Sequence, residues 1–306
     1  MEKEKLNILV TGSDGQLGGC IINCIFDYNE HKDNWRFLNK SNLDITDKSA
    51  VRSFIVNNKI DVVVNCAAFT DVDRCEDPEY GRGIAYEINV NGPKYLAEVL
   101  KETKGTLIHI STDYVFDGYN NGYAYEENIR RSPVNKYGKL KRDAEIYIEQ
   151  SGCNYLIIRT SWLYSRYGKN FLWTMMNKMK DGSDVKVVCN QIGTPTYAMD
   201  LAAFIVKAIE QRTYVIPERE TDTIREIYHY TNEGVASWYD FACAIKEYFG
   251  FSSKIIPCYD WEFPRPADRP HFSVLDKLKV RKTFDIDIPY WRDSLKICIT
   301  KLMSNE

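Results

Sequence analysis

Tyr137 and Lys141 stand four residues apart, which puts a phenol and an ammonium on one face of any helix that carries them. A cation beside a phenol favours the phenolate and lowers its pKa, bringing the group toward the range of a proton donor at neutral pH. The run His109-Ile110-Ser111-Thr112-Asp113-Tyr114-Val115-Phe116 ends a candidate strand, so the hydroxyl of Thr112 or Ser111 hangs at its carboxyl end. The carboxyl ends of parallel strands are where open sheets bind ligands. A third set, Thr11-Gly12-Ser13-Asp14-Gly15-Gln16-Leu17-Gly18, follows the first strand with GxxGxxG spacing. There Gly12 allows a tight turn, Gly15 lets backbone approach a pyrophosphate, and Gly18 lets the next helix close on the strand. That helix start offers free N–H groups and a positive dipole end to phosphates. A hydroxyl, a tyrosine and a lysine beside a nicotinamide make a carbonyl-reducing site.

These groups need elements to hold them, and the chain supplies an alternating set. Leu6–Val10, Trp35–Leu38, Asp61–Asn65, Thr106–Ser111 and Tyr155–Thr160 read as strands. Between them lie helical patterns: from the glycine turn through about Tyr28, over Lys48–Asn57, in a long helix that includes Val90–Thr103, and over Val134–Ser151. This rhythm predicts an α/β fold, a doubly wound (Rossmann) parallel sheet with helices on both faces. After about residue 165 the pattern loosens. Gly193-Thr194-Pro195-Thr196 and Pro264-Arg265-Pro266 read as fixed loops, with helices at Ser237–Tyr248 and Tyr290–Leu302. The expected division is a dinucleotide-binding domain over 1–165, with a later segment at about 185–212 returning to it. Residues 166–306 then form mainly a smaller, discontinuous C-terminal substrate-binding cap.

Composition narrows the function classes. The chain has 306 residues, 40 Lys+Arg against 43 Asp+Glu for a formal net charge of −3, and 44% hydrophobic residues. Such a balance excludes a generally basic nucleic-acid binder. No apolar run approaches the ~18 residues of a membrane span, the longest, Asp61 to Phe69, being broken by Asn65. The opening MEKEKLNILV lacks the apolar region and cleavage site of a secretory signal. Nine cysteines without a CxxC pair argue against a zinc module or disulfide framework. They fit reduced thiols in a cytoplasmic protein.

The second strand runs into Asn39-Lys40-Ser41, with no acid where an NAD site usually places one for the ribose 2′-hydroxyl. Lys40 reads either as the partner of a 2′-phosphate or as a solvated lysine. The first reading favours NADPH, with NADH as the alternative. Asp44, in Leu43-Asp44-Ile45-Thr46, reads either as an adenine contact or as the cap of the Lys48 helix.

Together the glycine turn, the hydroxyl pair and Tyr137 with Lys141 resemble the extended short-chain dehydrogenase/reductase superfamily. Asn65-Cys66-Ala67-Ala68-Phe69-Thr70-Asp71-Val72-Asp73, Asn89-Val90-Asn91, Ser111-Thr112-Asp113-Tyr114-Val115-Phe116-Asp117-Gly118 and Arg159-Thr160-Ser161-Trp162-Leu163-Tyr164 narrow the resemblance to the dTDP-4-dehydrorhamnose reductases. Gly168-Lys169-Asn170-Phe171, Gly193-Thr194-Pro195-Thr196 and Arg269-Pro270-His271-Phe272-Ser273-Val274-Leu275 carry it into the cap, so the matches run from about residue 6 to residue 292. The resemblance implies NADPH-dependent reduction of the 4-keto group of dTDP-4-dehydro-6-deoxy-L-mannose to dTDP-L-rhamnose, a polysaccharide precursor. It implies that Tyr137 gives the proton, that Lys141 tunes Tyr137 and holds the nicotinamide ribose, and that Thr112 hydrogen-bonds the carbonyl. The implied cofactor residues are Gly12, Gly15, Gln16, Leu17, Gly18, Asn39, Lys40, Asp44, Ile45, Ala67, Ala68 and Thr70, with Tyr137 and Lys141. The implied substrate residues are Thr112, Asp113, Tyr114, Trp162, Asn170 and Arg269. Trp162 reads as a sugar contact or as core packing, and Arg269 as a contact to diphosphate or base or as a structural salt bridge.

Some proteins of that family dimerise through a magnesium ion held by carboxylates in the first helix and after the GxPT element. Here those places hold Cys20 and Met199, neither a magnesium ligand, while Asp200 should face elsewhere. The expectation is no metal, and a monomer or weak homodimer without a metal bridge. The partner expected is a nucleotide-sugar, with no nucleic acid and no membrane. The loop between Thr112 and Tyr137 is expected to close over substrate. Two other readings stay open: a related reductase or epimerase acting on a different nucleotide-sugar, and a non-catalytic protein like the regulatory subunit of methionine adenosyltransferase. The complete Thr112, Tyr137 and Lys141 set argues for catalysis.

Overall fold

A computed structural model describes residues 5–27, 33–217 and 222–304. Its frame is a six-stranded sheet of β1 (Asn7–Thr11), β2 (Asn34–Leu38), β3 (Val62–Asn65), β4 (Thr106–Thr112), β5 (Asn154–Thr160) and β6 (Arg225–His229). Spatial order is β6-β5-β4-β3-β1-β2, and every neighbouring pair is parallel. Strands covered on both faces carry nearly continuous apolar runs, and Val62, Val63 and Val64 are fully buried. The order reverses beside β1, whose neighbours are β2 and β3, so the ligand crevice falls at the carboxyl end of β1. The register aligns Thr11 with Asn65 and Asn65 with His109, drawing a polar row across three central strands.

The longer helices are α1 (Gln16–Asp27), α2 (Lys48–Asn57), α3 (Gly92–Thr103), α4 (Lys136–Ser151), α5 (Phe171–Met179), α6 (Ala198–Glu210), α7 (Trp238–Phe249) and α8 (Trp291–Met303), of which α1 and α6 lie on one face of the sheet and α2, α3 and α4 on the other. Leu17, Ile21, Leu201, Ile205 and Ile209 of α1 and α6 share one core with Ile8, Val10 and Val64. Val51, Ile55, Leu96, Leu100 and Ile148 of α2, α3 and α4 pack with Leu9, Val63 and Ile157 on the other face. The first-helix expectation extended to Tyr28, which lies outside the described residues.

Two features depart from the sequence pattern. The long helix expected around Val90 is a wide π turn over Glu87–Asn91 that runs into α3. Its buried Asn89 accepts from Phe69 N and donates to Phe69 O, both at 2.8 Å, and so pins the loop after β3. The sixth strand, β6, had no strand signal, because as an edge strand it leaves Arg225 and Glu226 exposed and buries only its carboxyl end.

Beyond the sheet, α5, α7 and α8 surround a second core that includes Leu172, Met175, Phe241, Ile245, Trp291 and Leu295. The strands Val185–Val188 and Ile255–Cys258 pair in parallel beneath it. Ser237 caps α7 through Asp240 N, while Asp240 accepts from Ser237 N, a reciprocal capping box. Among the described residues no helix is long and apolar enough to cross a membrane.

Candidate active site

The glycine turn is closed so tightly that side chains are excluded. Gly12 has φ of +64°, and a Cβ there would lie 2.7 Å from Ala67 N; a Cβ on Gly18 would lie 2.5 Å from Gly12 O. Bare backbone therefore faces the Ala67–Ala68 loop at the start of α1. Two hollows meet at Gly15, Cys66, Ala67 and Ala68. One, of about 190 Å³, is lined by Gly12, Lys40, Leu43, Asp44 and Ile45 among others. The other, of about 470 Å³, runs past Gln16, Leu17 and Thr70 to Thr112, Tyr137, Lys141 and Trp162. A trough with an uncovered backbone cradle at its middle and a helix N-terminus pointing into it fits a dinucleotide.

At the smaller end, Lys40 is exposed and its Nζ lies 3.8 Å from Asp44 Oδ2. Burial works against the Asp44 charge, yet the N–H and hydroxyl of Thr46, with Lys40, hold its carboxyl below the ordinary range. Asp44 does not cap α2: that role belongs to Asp47, which accepts from Ala50 N. Asn39 Oδ1 accepts from Ser41 N, Ser41 Oγ and Asn42 N, so its carbonyl is occupied by its own turn.

At the larger end, β4 and α4 bring together Thr112, Tyr137 and Lys141, the three residues expected to act on a carbonyl. Thr112 is the last residue of β4, and its hydroxyl donates to Asp113 Oδ1 at 3.0 Å and hydrogen-bonds Tyr137. Ser111 instead spends its hydroxyl on Glu145 of α4. Asn135 caps α4 through Gly138 N at 2.7 Å, which fixes Tyr137 in the first turn and Lys141 one turn on. Gly138 is the close-approach point: a Cβ there would lie 2.1 Å from Tyr114 O. Sequence reading passed over this glycine, because only the packing of α4 on the Tyr114 turn gives it a role.

The electrostatics correct one expectation. Burial, then the Asp113 carboxyl, push the Tyr137 phenol above its ordinary value, against a smaller pull from Thr112. Lys141 does not lower it, because its Nζ is aimed at the strand, donating to Ile110 O at 2.7 Å and lying 3.3 Å from His109 Nε2. Tyr137 thus stays a protonated phenol at neutral pH, the state a proton donor needs. Burial lowers Lys141 to about 8, with Glu145 and Cys66 acting the other way. Asp113 is buried with Oδ2 unpartnered, and desolvation lifts its carboxyl to about 7.

Around the larger hollow the expected substrate residues separate. Tyr114 lines the wall, edge-on to Tyr137 at 6.1 Å between ring centroids. Trp162, held at φ of 47°, stacks on Trp238 of α7 at 3.6 Å and 8°, and both rings line the hollow. No local signal marks Trp238, since only the docking of α7 brings it there. Asn170 also lines the hollow, but Nδ2 donates to Gln16 Oε1, Ser165 O and Tyr167 O, and Oδ1 caps α5 at Trp173 N. Arg269 is outside the lining; it makes a two-pronged pair with Asp73 at 2.6 and 2.9 Å and ties the cap loop to the loop after β3.

Cys20 is buried in α1, and Met199 Sδ lies 3.3 Å from Cys24 Sγ. Asp200 turns away to accept from Asn232 Nδ2 and Ser294 Oγ. Among the described residues no group of three or more His, Cys, Asp or Glu could hold a metal.

Comparison with known proteins gives a consistent result. A dTDP-4-dehydrorhamnose reductase of Aggregatibacter actinomycetemcomitans is 36% identical over 297 residues, covering 94% of this chain and 97% of its own. A Clostridium acetobutylicum dTDP-4-dehydrorhamnose reductase of known structure is 38% identical, with a TM-score of 0.88 over 97% of this chain and 100% of its own. The Bacillus anthracis dTDP-4-dehydrorhamnose reductase in complex with NADP is 32% identical, with a TM-score of 0.87 over the same shares. The model of the family described as the RmlD substrate binding domain matches residues 6–304. Nearly the whole chain is thus accounted for, and it belongs to the RmlD substrate binding domain family.

Proposed function

We propose that the protein is an NADPH-dependent oxidoreductase that reduces the 4-keto group of dTDP-4-dehydro-6-deoxy-L-mannose to dTDP-L-rhamnose, in dTDP-rhamnose biosynthesis. The observation that carries the reading is the meeting of Thr112, Tyr137 and Lys141 at one end of a trough whose middle is the bare glycine turn. Similarity to dTDP-4-dehydrorhamnose reductases, one of them solved with NADP, supports substrate and cofactor. NADPH bound along the trough would supply the hydride. The glycine turn, Ala67 and Ala68 bound its middle, with Lys40 and Asp44 at the adenosine end, and Lys141 is set to reach the ribose beside the nicotinamide.

The protein's own groups then act on the sugar carbonyl. Tyr137 holds a proton that its environment keeps on the phenol oxygen. As negative charge develops on the carbonyl oxygen, that proton moves to it from the phenol, with the Thr112 hydroxyl, turned from Asp113 Oδ1, as a second donor. Lys141, charged below about pH 8, offers the cofactor ribose the N–H that Ile110 O and His109 leave over. The Trp162–Trp238 stack gives the sugar a flat apolar wall and excludes water.

In this reading residues 1–165 carry the cofactor, α6 of the segment at about 185–212 rejoins that unit together with β6, and the rest of 166–306, Val185–Val188 included, caps the substrate. We assign the protein to the cytoplasm as a monomer or weak homodimer with no metal bridge, since Cys20 and Met199 offer no magnesium ligand. The test is NADPH oxidation with dTDP-4-dehydro-6-deoxy-L-mannose, NADH in parallel, and product identification by mass and NMR. Formation of dTDP-L-rhamnose supports the reading. Cofactor binding without turnover of this sugar overturns it.

A further inference from the structure

The polar row across β1, β3 and β4 is buried in the middle of the sheet. Thr11 is 1% exposed, Asn65 1% and His109 0%, and none of them touches solvent enough to owe its place to hydration. They form one chain of contacts: Thr11 Oγ1 donates to Asn65 Oδ1 at 2.7 Å, Asn65 Nδ2 lies 3.1 Å from His109 Nδ1, and His109 Nε2 lies 3.3 Å from Lys141 Nζ. Three buried polar side chains in register, ending on the lysine of the reactive set, are costly unless each has its partner. A neutral imidazole donates from one nitrogen and accepts at the other. Burial and the neighbouring Lys141 hold His109 well below its ordinary pKa, so its ring is neutral.

This leaves two self-consistent hydrogen-bond directions. With Thr11 donating to Asn65 Oδ1, Asn65 donates to His109 Nδ1, and the ring proton sits on Nε2 facing Lys141, which must then accept as a free amine. When Lys141 is an ammonium it donates to Nε2, the ring proton moves to Nδ1, and the Asn65 amide turns to receive it and donates in turn to Thr11. In both states Nζ keeps its bond to Ile110 O. The charge of the lysine and the tautomer of the histidine are therefore one coupled event.

We propose that His109 is a positioning residue for the reduction: its Nε2 fixes the direction of Lys141 Nζ and stabilises its ammonium form, with Asn65 and Thr11 holding the ring. The inference rests on the reading of Lys141 as part of the reductase site. His109 touches neither substrate nor cofactor in this scheme and acts only through Lys141. The other titratable groups bearing on Lys141 are Glu145, one turn along α4, and Cys66, after β3. Glu145 is held as a carboxylate by Arg159, Ser111 and Arg131. Cys66 is a buried thiol pushed up to about 12, and so neutral through the range of the test. Neither changes charge where Lys141 does.

The test has two arms. In the first, ¹⁵N NMR of the His109 imidazole follows the tautomer from pH 6 to 10. The ring proton is expected on Nδ1 below about pH 8 and on Nε2 above it, and in Lys141→Met the ring should keep a single tautomer throughout. This arm needs no turnover, so it stands or falls separately from the proposed substrate. In the second arm, the alkaline limb of the kcat/KM profile with NADPH is expected to move down by about one pH unit in His109→Phe, the shift of a lost hydrogen bond to a charged group. His109→Gln, which returns a carbonyl acceptor near the Nε2 position, should bring the limb back; melting curves report folding of each variant. A wild-type ring that keeps one tautomer from pH 6 to 10 overturns the coupling, whether or not the Phe variant folds. So does an unmoved limb in folded His109→Phe. Failure of the wild-type protein to reduce the sugar, with the tautomer change intact, counts against the function alone.

Discussion

A methyl group at Gly138 would lie 2.1 Å from the Tyr114 carbonyl oxygen and 2.9 Å from Pro133 Cβ, where real Cβ atoms essentially never come within 3.0 Å. In Gly138→Ala the first turn of α4 must therefore withdraw from the Tyr114 turn by about 0.9 Å, because the obstructing atom is backbone rather than a flexible side chain. That turn carries Tyr137, and Thr112 and Asp113 sit on the segment it leaves. Overpacking of this kind costs about 1–3 kcal/mol of stability. Displacing a proton donor by about 1 Å costs on the order of 10²-fold in rate, equivalent to about 2.7 kcal/mol of barrier. We expect Gly138→Ala to fold with a lowered melting temperature, to bind NADPH at the distant glycine turn with little change, and to lose about a hundredfold in kcat. The assay is NADPH oxidation at saturating cofactor and sugar, with cofactor affinity from fluorescence titration and stability from a thermal melt. A folded Gly138→Ala with wild-type kcat would refute the argument that this contact sets the position of Tyr137.

Tyr137→Phe removes only the proton donor, so kcat should fall by about 10²–10⁴-fold while NADPH affinity holds; equal activity would take Tyr137 out of the mechanism. The kcat/KM profile should decline above about pH 8 as Lys141 loses its proton, and a profile level to pH 10 would show that its charge is not needed. Asp113 affects stability, with a definite sign. Its folded pKa of about 7 lies above the ordinary 3.8, so between those values the folded chain binds more protons than the unfolded one. The stability contribution of Asp113 therefore falls as pH rises from about 4 to about 7, and its full cost is present above 7. Asp113→Asn should gain in melting temperature relative to the parent on going from pH 4.5 to pH 8, and a constant difference would argue against a buried, rising carboxyl.

Much of this site was open to reading because its chemistry is local. The glycine spacing, the i and i+4 placement of Tyr137 and Lys141, and a hydroxyl at the end of β4 each follow from the period of one element, so the residues that line the trough could be named from the chain, while the choice of Thr112 over Ser111 there came from the family resemblance. The alternation of strands and helices likewise fixed the doubly wound class, since parallel neighbours need helical crossovers. What the sequence could not carry were relations between elements. Lys40 and Asp44 were both in view, yet the cap of α2 fell to Asp47 because capping depends on backbone dihedrals at a single residue. The sense of the Tyr137 pKa shift came out opposite to the pairwise argument, because desolvation depends on everything packed around the ring. Arg269 and Asn170 have the residue types of ligand contacts, but tertiary partners at Asp73 and Gln16 engage them. Trp238, Gly138, the β6 edge and the Thr11–Asn65–His109 row exist only once strand register and helix docking are set. Periodicity records which face of an element is buried; what that face meets is decided by the folded chain.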